Sequence, residues 1–187
     1  MMITPAVMAL VVAFNGLWAG YGTGSTPTVY AEAMWTVPAS RCSGSSVVAA
    51  WVGIDGYADQ AVEQVGTTSG CGWADAWYEN WPAPDHSAFP VRPGDIMRGV
   101  VRLVGVRALM TIRDFTSGAS RTVNLRSYGH GRGAEAVAEH VPGIGVSYFM
   151  PFRFWRLSFV PTIKFLESPY RVGSLNGQEF EIERKWR

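Results

Sequence analysis

Apolar and polar positions alternate in short runs along most of this chain, and turn residues separate the runs. Residues 29–37 read as a strand stopped by Pro38. Residues 45–54 are apolar and β-branched enough for a central strand. Residues 60–65 form a short strand, and residues 73–81 another, ended by Pro82-Ala-Pro84. After Pro93-Gly-Asp95, residues 96–104 and 107–113 predict a hairpin. Thr116-Ser-Gly118 turns the chain before residues 121–125. Residues 134–141, 148–159 and 180–185 complete the set. Residues 20–27, rich in Gly, Ser and Thr and ended by Pro27, read as a turn cluster. The 3.6-residue period of an amphipathic helix does not appear over any 12 residues; residues 134–140 alone have helical propensity. Strands every 8 to 12 residues predict an all-β fold, an antiparallel two-sheet sandwich or a barrel.

Within these strands some polar residues stand where water is scarce. Asp55 follows Trp51-Val-Gly-Ile, Gln64 lies in Val62-Glu-Gln64-Val-Gly66, and Glu139 closes Ala134-Glu135-Ala-Val-Ala-Glu139. An unpaired polar group out of water costs a few kcal/mol, so such residues imply use. In Trp73-Ala-Asp75-Ala-Trp77-Tyr-Glu79-Asn-Trp81, alternation puts Trp73, Asp75, Trp77, Glu79 and Trp81 on one face. Acids and indoles sharing a face suit the floor of a cleft that grips a polymer; the plain alternative is an exposed face with rings covering a loop.

Composition narrows the class. With 187 residues the chain is long enough for one domain with a real core. Its 21 Gly, 13% aromatics and only 17% charged residues suit a rigid, turn-rich β protein better than a helical bundle. A formal charge of +1 with scattered basic residues gives no phosphate-neutralising stripe, which argues against nucleic acid. Cys42 and Cys71 favour one disulfide, closing a loop of about 30 residues worth roughly 3 kcal/mol; two free thiols are the alternative. Residues 1–14 hold an apolar run, 3–14, of signal-segment length but too short to span a bilayer. It reads either as such a segment, implying a secreted protein, or as a first strand, leaving residues 15–187 as the single domain.

Chemistry by other routes finds little support. No Gly-x-Ser-x-Gly elbow, His-Glu-x-x-His helix, zinc spacing or phosphate loop is present, and the three histidines are His86, His130 and His140.

The ordered motifs do match one known family. Trp18-Ala-Gly20, Trp35-Thr-Val-Pro38, Trp51-Val-Gly-Ile-Asp55-Gly56, Val62-Glu-Gln64-Val-Gly66, Asp75-Ala-Trp77-Tyr-Glu79 with Trp81-Pro82, Pro93-Gly-Asp95, Ala134-Glu135-Ala-Val-Ala-Glu139 and Met150-Pro151-Phe152 follow one another in order. On these the chain resembles the glutamic peptidases, or eqolisins. The resemblance implies a lectin-like sandwich of two antiparallel sheets and endopeptidase activity in acid on protein or peptide substrates. It implies a catalytic pair at Gln64 and Glu139, no metal or other cofactor, and no covalent intermediate. Asp55, Asp75 and Glu79 are expected to hydrogen-bond around that pair, with Trp51 and Trp77 as walls for substrate side chains. A secreted monomer with no membrane span is expected. Two rival functions use the same sandwich: a glycoside hydrolase built on Glu79 and Glu139 with Trp stacking on sugar rings, and a non-catalytic carbohydrate- or peptide-binding module.

Overall fold

The structure is a computed structural model that describes residues 18–41, 47–57, 59–140, 148–165 and 170–184. The possible signal segment 1–14 and Cys42, hence the Cys42–Cys71 pairing, lie outside the described residues. Among the described residues sixteen strands follow in order: β1 (Trp18–Gly22), β2 (Tyr30–Thr36), β3 (Ser40–Arg41), β4 (Val48–Asp55), β5 (Val62–Gly70), β6 (Trp73–Trp81), β7 (His86–Val91) and β8 (Ile96–Val104). Then come β9 (Arg107–Asp114), β10 (Ser120–Arg126), β11 (Ala134–His140), β12 (Tyr148–Phe149), β13 (Phe152–Trp155), β14 (Ile163–Phe165), β15 (Tyr170–Val172) and β16 (Phe180–Arg184). No helix occurs among the described residues; the helical propensity of 134–140 yields to strand pairing on both sides.

Two seven-stranded antiparallel sheets form the body. One runs β14-β1-β11-β4-β5-β6-β7, the other β10-β9-β8-β2-β13-β16-β15, and β12 pairs with β3 as a small separate ribbon. This is the expected sandwich. Between the sheets lies a core of Ala, Val, Ile and aromatic side chains, including Val52, Ile54, Val65, Trp35, Phe154 and Ile182. Trp35 of β2 crosses that core and donates its indole N–H to Thr67 Oγ1 of β5 at 2.9 Å. Burying a whole indole contributes roughly 2–3 kcal/mol of transfer free energy, and the bond satisfies its single polar atom.

Several boundaries differ from the sequence reading. Residues 18–22 form β1, which takes in residues 20–22 of the turn cluster expected over 20–27. Residues 148–159 split into β12 and β13 around Pro151, and Arg156, with φ of 56°, turns the chain after Trp155. Strand β7 was not anticipated. It contains Pro90, and it stands at the sheet edge, where a missing N–H costs no ladder bond.

Candidate active site

The first sheet has one face on the core and one turned outward. Antiparallel register aligns the outward residues into rungs. One rung reads Trp18, Glu139, Ala49, Thr68, Asp75 across β1, β11, β4, β5 and β6. The next reads Gly20, Val137, Trp51, Gly66, Trp77, and the third Gly22, Glu135, Gly53, Gln64, Glu79. Asp55, Val62 and Trp81 follow. Because the side-chain period is two, Gln64 and Glu139 necessarily share this face.

Small residues make room for large ones here. A methyl carbon on Gly66 would fall 2.5 Å from Trp77 Cζ2 and 2.6 Å from Trp51 Cβ. One on Gly53 would fall 3.0 Å from Trp51 Cζ3 and 3.1 Å from Gln64 Cβ. The Trp51 indole therefore lies along β4. Its N–H donates to Glu139 Oε2 at 2.8 Å, while its six-membered ring reaches the Gly53–Gln64 rung. Trp51 is fully buried. Trp18 packs edge-on against it, ring centroids 4.9 Å apart at 82°, and Phe165 packs on Trp18 in turn. Trp77 is fixed by an N–H bond to Thr68 Oγ1 at 2.9 Å.

Glu79 joins the two halves. It accepts a hydrogen bond from Gln64 Nε2. Burial is the main cause that pushes its carboxyl up to about 7; the Gln64 N–H works against this, and the negative charges of Asp85 and Glu139 add to it. Gln64 is 5% exposed, and its carbonyl oxygen Oε1 is buried without a hydrogen-bond partner among the described residues. Glu139 is only partly buried, and so are Asp75 and Glu79. Trp73 and Trp81, at the ends of β6, are 49% and 45% exposed.

Of the residues expected around the pair, Trp51, Asp75, Trp77 and Glu79 stand on this face. Asp55 does not serve it by hydrogen bonding. Its backbone has φ of 75°, and its fully buried carboxylate accepts from the backbone N–H groups of Gly131 at 2.8 Å and Arg132 at 2.6 Å. Glu63 was assigned no role from the sequence. As the neighbour of Gln64 it faces the core side, and its Oε1 accepts from Ser127 Oγ and from the N–H groups of Tyr128 and Gly129 at 2.8–2.9 Å. Glu135 is also buried and lies beside Gly56, where a methyl carbon would fall 2.5 Å from its Oε1. Burial, chiefly, and the charges of Asp55 and Glu63 hold the Glu135 carboxyl well above the usual range, against a lowering pull from the Tyr57 amide. The signal for Glu63 was available: a carboxylate between Val62 and Gln64 must point inward, and the Gly-rich stretch 127–133 offers unpaired backbone donors.

Among the described residues no group of three or more His, Cys, Asp or Glu has metal-binding geometry. No helix of the described residues is long and apolar enough to cross a membrane.

The profile of the Peptidase A4 family matches residues 16–153, most of the chain and all five strands that carry the rungs described. The chain belongs to the Peptidase A4 family. The peptidase fold is repeated in solved structures. Scytalido-glutamic peptidase with a transition state analog inhibitor superposes with a TM-score of 0.80 at 18% identity, covering 91% of this chain and 98% of that one. SCP-B, a member of the eqolisin family in complex with the tripeptide Ala-Ile-His, superposes with a TM-score of 0.75 at 20% identity over 91% and 98%. A search of curated proteins returned no match. This Peptidase A4 member is thus a hydrolase of the glutamic-peptidase type, with a two-sheet antiparallel sandwich and protein or peptide as its substrate class.

Proposed function

We propose that this chain is an endopeptidase active in acid, with Gln64 and Glu139 as its catalytic pair. One observation supports the assignment: a single buried indole, Trp51, has its N–H on the Glu139 carboxylate, and its six-membered ring and Gln64 Cβ both border the space over Gly53. A carboxylate and a carboxamide thus share the outward face of one sheet, two rungs apart, with the Trp51 indole between their rungs.

The chemistry follows from the groups. Ionised Glu139 takes a proton from a water molecule as the water oxygen attacks the peptide carbonyl carbon. The Trp51 N–H, bonded to one carboxylate oxygen, orients the Glu139 carboxylate. A Gln64 N–H stabilises the oxyanion that forms; an amide donor stays neutral at every pH. Collapse of the tetrahedral intermediate breaks the C–N bond, and protonated Glu139 returns its proton to the leaving amine. Exposed Trp73 and Trp81, with Asp75 between Trp73 and Trp77, offer apolar and acidic contacts to an extended peptide laid along β6.

Digestion of a denatured protein from pH 2 to 7 tests the reading. Removing one oxyanion donor costs about 10²- to 10³-fold, and losing a general base about 10²- to 10⁴-fold. Gln64→Ala and Glu139→Gln are therefore each expected to lose at least about 10²-fold in kcat with the fold intact. Pepstatin is expected to leave the wild type active, since no Asp-Thr-Gly motif is present. Near-wild-type turnover by either variant sinks the assignment.

A further inference from the structure

Half of the large apolar side chains that stand exposed among the described residues gather at one end of the second sheet. They are Val29, Tyr30, Val104, Val106, Leu109 and Tyr128. Strands β8 and β9 meet there in the turn Gly105-Val106, after their last pair, Val104 with Arg107. Turns in a soluble fold are polar by rule. This one reads Val-Gly-Val, with Val104 58% and Val106 71% exposed. Gly105 supplies the positive φ, 59°, that so tight a turn needs. A methyl carbon on it would meet no atom within 4 Å, so the tip stands clear of the body. It is still held in place. The Ser127 N–H donates to the Val106 carbonyl oxygen at 2.9 Å, which brings the neighbouring Tyr128 to the tip.

Arginines surround these apolar side chains. Register puts Tyr30, Arg102, Leu109 and Asn124 on one outward rung, and Val104, Arg107 and Arg126 on the next. Arg102, Arg107 and Arg126 form no run in the sequence; the sheet gathers them. All three are exposed, and none has a carboxylate partner among the described residues. Arg107 is braced by Asn124, from Nε to Oδ1 at 2.9 Å and from Nη2 to the backbone oxygen at 2.6 Å. Arg107 and Arg126 stand directly opposite each other, and like charges so placed destabilise a sheet. Folding alone gives no reason for them. Two acids toward this end are already engaged: Glu32 accepts two bonds from Arg98 at 2.8 Å, and Asp59 lies 2.5 Å from His130 Nδ1.

We infer that this tip docks the protein on an anionic lipid surface: Val104 and Val106 enter the interface, and Arg102, Arg107 and Arg126 meet lipid phosphates. Charge complementarity sets the sign of the partner. Shape sets its kind. Projecting valines gain from a soft apolar phase that yields to them, and a nucleic acid or an acidic polysaccharide offers charge but no such phase. Tyr30 and Tyr128, apolar rings with a polar end, suit the headgroup level beside the inserted tip. The tip shares its end of the sandwich with the Gln64–Glu79 rung, since Asn80, next to Glu79, donates from Nδ2 to the Arg126 carbonyl oxygen at 2.5 Å.

The full chain is sedimented with vesicles of phosphatidylcholine, with and without phosphatidylglycerol. Binding is expected only with phosphatidylglycerol, and it should weaken as salt rises. A basic residue beside an anionic surface contributes about fivefold, so the double variant Arg102→Gln, Arg126→Gln is expected to bind about 25-fold more weakly. Val106→Asp is expected to lose about tenfold or more. Both variants alter exposed positions, so their melting temperatures should match the wild type. A nitrobenzoxadiazole label on Val106→Cys reads the tip itself, and one on Ser117→Cys reads the turn at the other end of β9. Wild type carried through the same labelling is the blank. The Val106→Cys label is expected to brighten several-fold on anionic vesicles, and the Ser117→Cys label to stay constant. The labels decide if the apolar run 3–14 keeps both variants on the vesicles: an equal response at the two positions overturns the inference. So does a wild type that binds no anionic vesicle. Retention on DNA or polygalacturonate that needs the arginines but not Val106, without vesicle binding, overturns it in favour of a soluble polyanion. Each of these outcomes leaves the peptidase assignment standing.

Discussion

At the residue scale, Gly66 shows how space rather than backbone freedom selects a glycine. It lies within a regular strand and carries no positive φ. A methyl group there would fall 2.5 Å from Trp77 Cζ2, 2.6 Å from Trp51 Cβ and 2.8 Å from the Ala50 carbonyl oxygen. The last two are on or next to the backbone and have nowhere to go. Overpacking of this kind costs about 1–3 kcal/mol. Gly66→Ala is therefore expected to lose about that much in urea denaturation, and to lose activity as well, because both indoles that frame the pair must move. Full activity at wild-type stability contradicts the packing described. The reading of residues 60–65 as a short strand stopped at this glycine, although β5 runs on to Gly70. Gly66, Thr67, Thr68 and Ser69 resemble loop composition, and only the bulk of Trp51 and Trp77 on neighbouring strands explains why small residues are needed. That bulk is a tertiary fact, invisible to local pattern.

At the scale of elements, the segment between β10 and β11 is pinned by two buried carboxylates. Glu63 accepts from Ser127, Tyr128 and Gly129, and Asp55 from Gly131 and Arg132. A methyl carbon on Gly129 would fall 2.0 Å from Asp55 Oδ2 and 2.8 Å from Glu63 Oε2, so the chain passes directly over both acids. Glu63→Ala leaves the Tyr128 and Gly129 N–H groups without their acceptor, and an unsatisfied buried donor costs about 1–3 kcal/mol. The variant is expected to lose at least about 2 kcal/mol. Amide exchange should quicken at Tyr128 and Gly129 more than in β8 or β9. Unchanged protection at these two amides counts against the pinning role.

The same scale shows what was legible. Alternation gave the outward face of β6 and the sharing of one face by acids and indoles, because period two needs no tertiary knowledge. The motif order around Gln64 and Glu139 carried the sandwich and the family. Asp55 was misjudged as a neighbour of the pair: its motif lies beside Trp51, but the left-handed turn at φ of 75° aims the carboxylate at the backbone of 131–132. Strand β1 was misjudged because Gly20 and Gly22 favour turns in isolation. In the fold a methyl carbon at Gly22 would fall 2.9 Å from Phe165 and 3.0 Å from the Ala134 carbonyl oxygen, so close packing of β11 and Phe165 requires glycine inside a strand.

For the whole molecule, buried carboxyls make folding itself favour acid. Burial is the leading cause that raises Glu135, Glu63 and Glu79. A raised carboxyl binds its proton more tightly folded than unfolded, so its share of stability is complete below the unfolded pKa of about 4.3 and is lost as pH climbs to the folded value. For Glu79 that window closes near 7. Two other acids pull the opposite way. The Arg98 guanidinium, chiefly, lowers Glu32. At Asp114 desolvation pushes upward, but bonds from Ser117 Oγ and the Thr116 and Ser117 N–H groups outweigh it and leave the carboxyl low. Stability from these two is present above the ordinary carboxylate range and is lost as pH falls below it. The two sets meet between about pH 4 and 5, where the melting temperature is expected to peak, falling on both sides. Glu135→Gln, which copies the neutral acid in shape, is expected to flatten the fall from pH 5 to 7 while leaving the fall below pH 4 unchanged. A melting temperature that rises steadily to pH 7, in the wild type or the variant, contradicts the assignment of neutral buried acids. A fold whose buried carboxyls are stabilising when protonated is most stable in acid, the same range in which the proposed peptidase activity is expected.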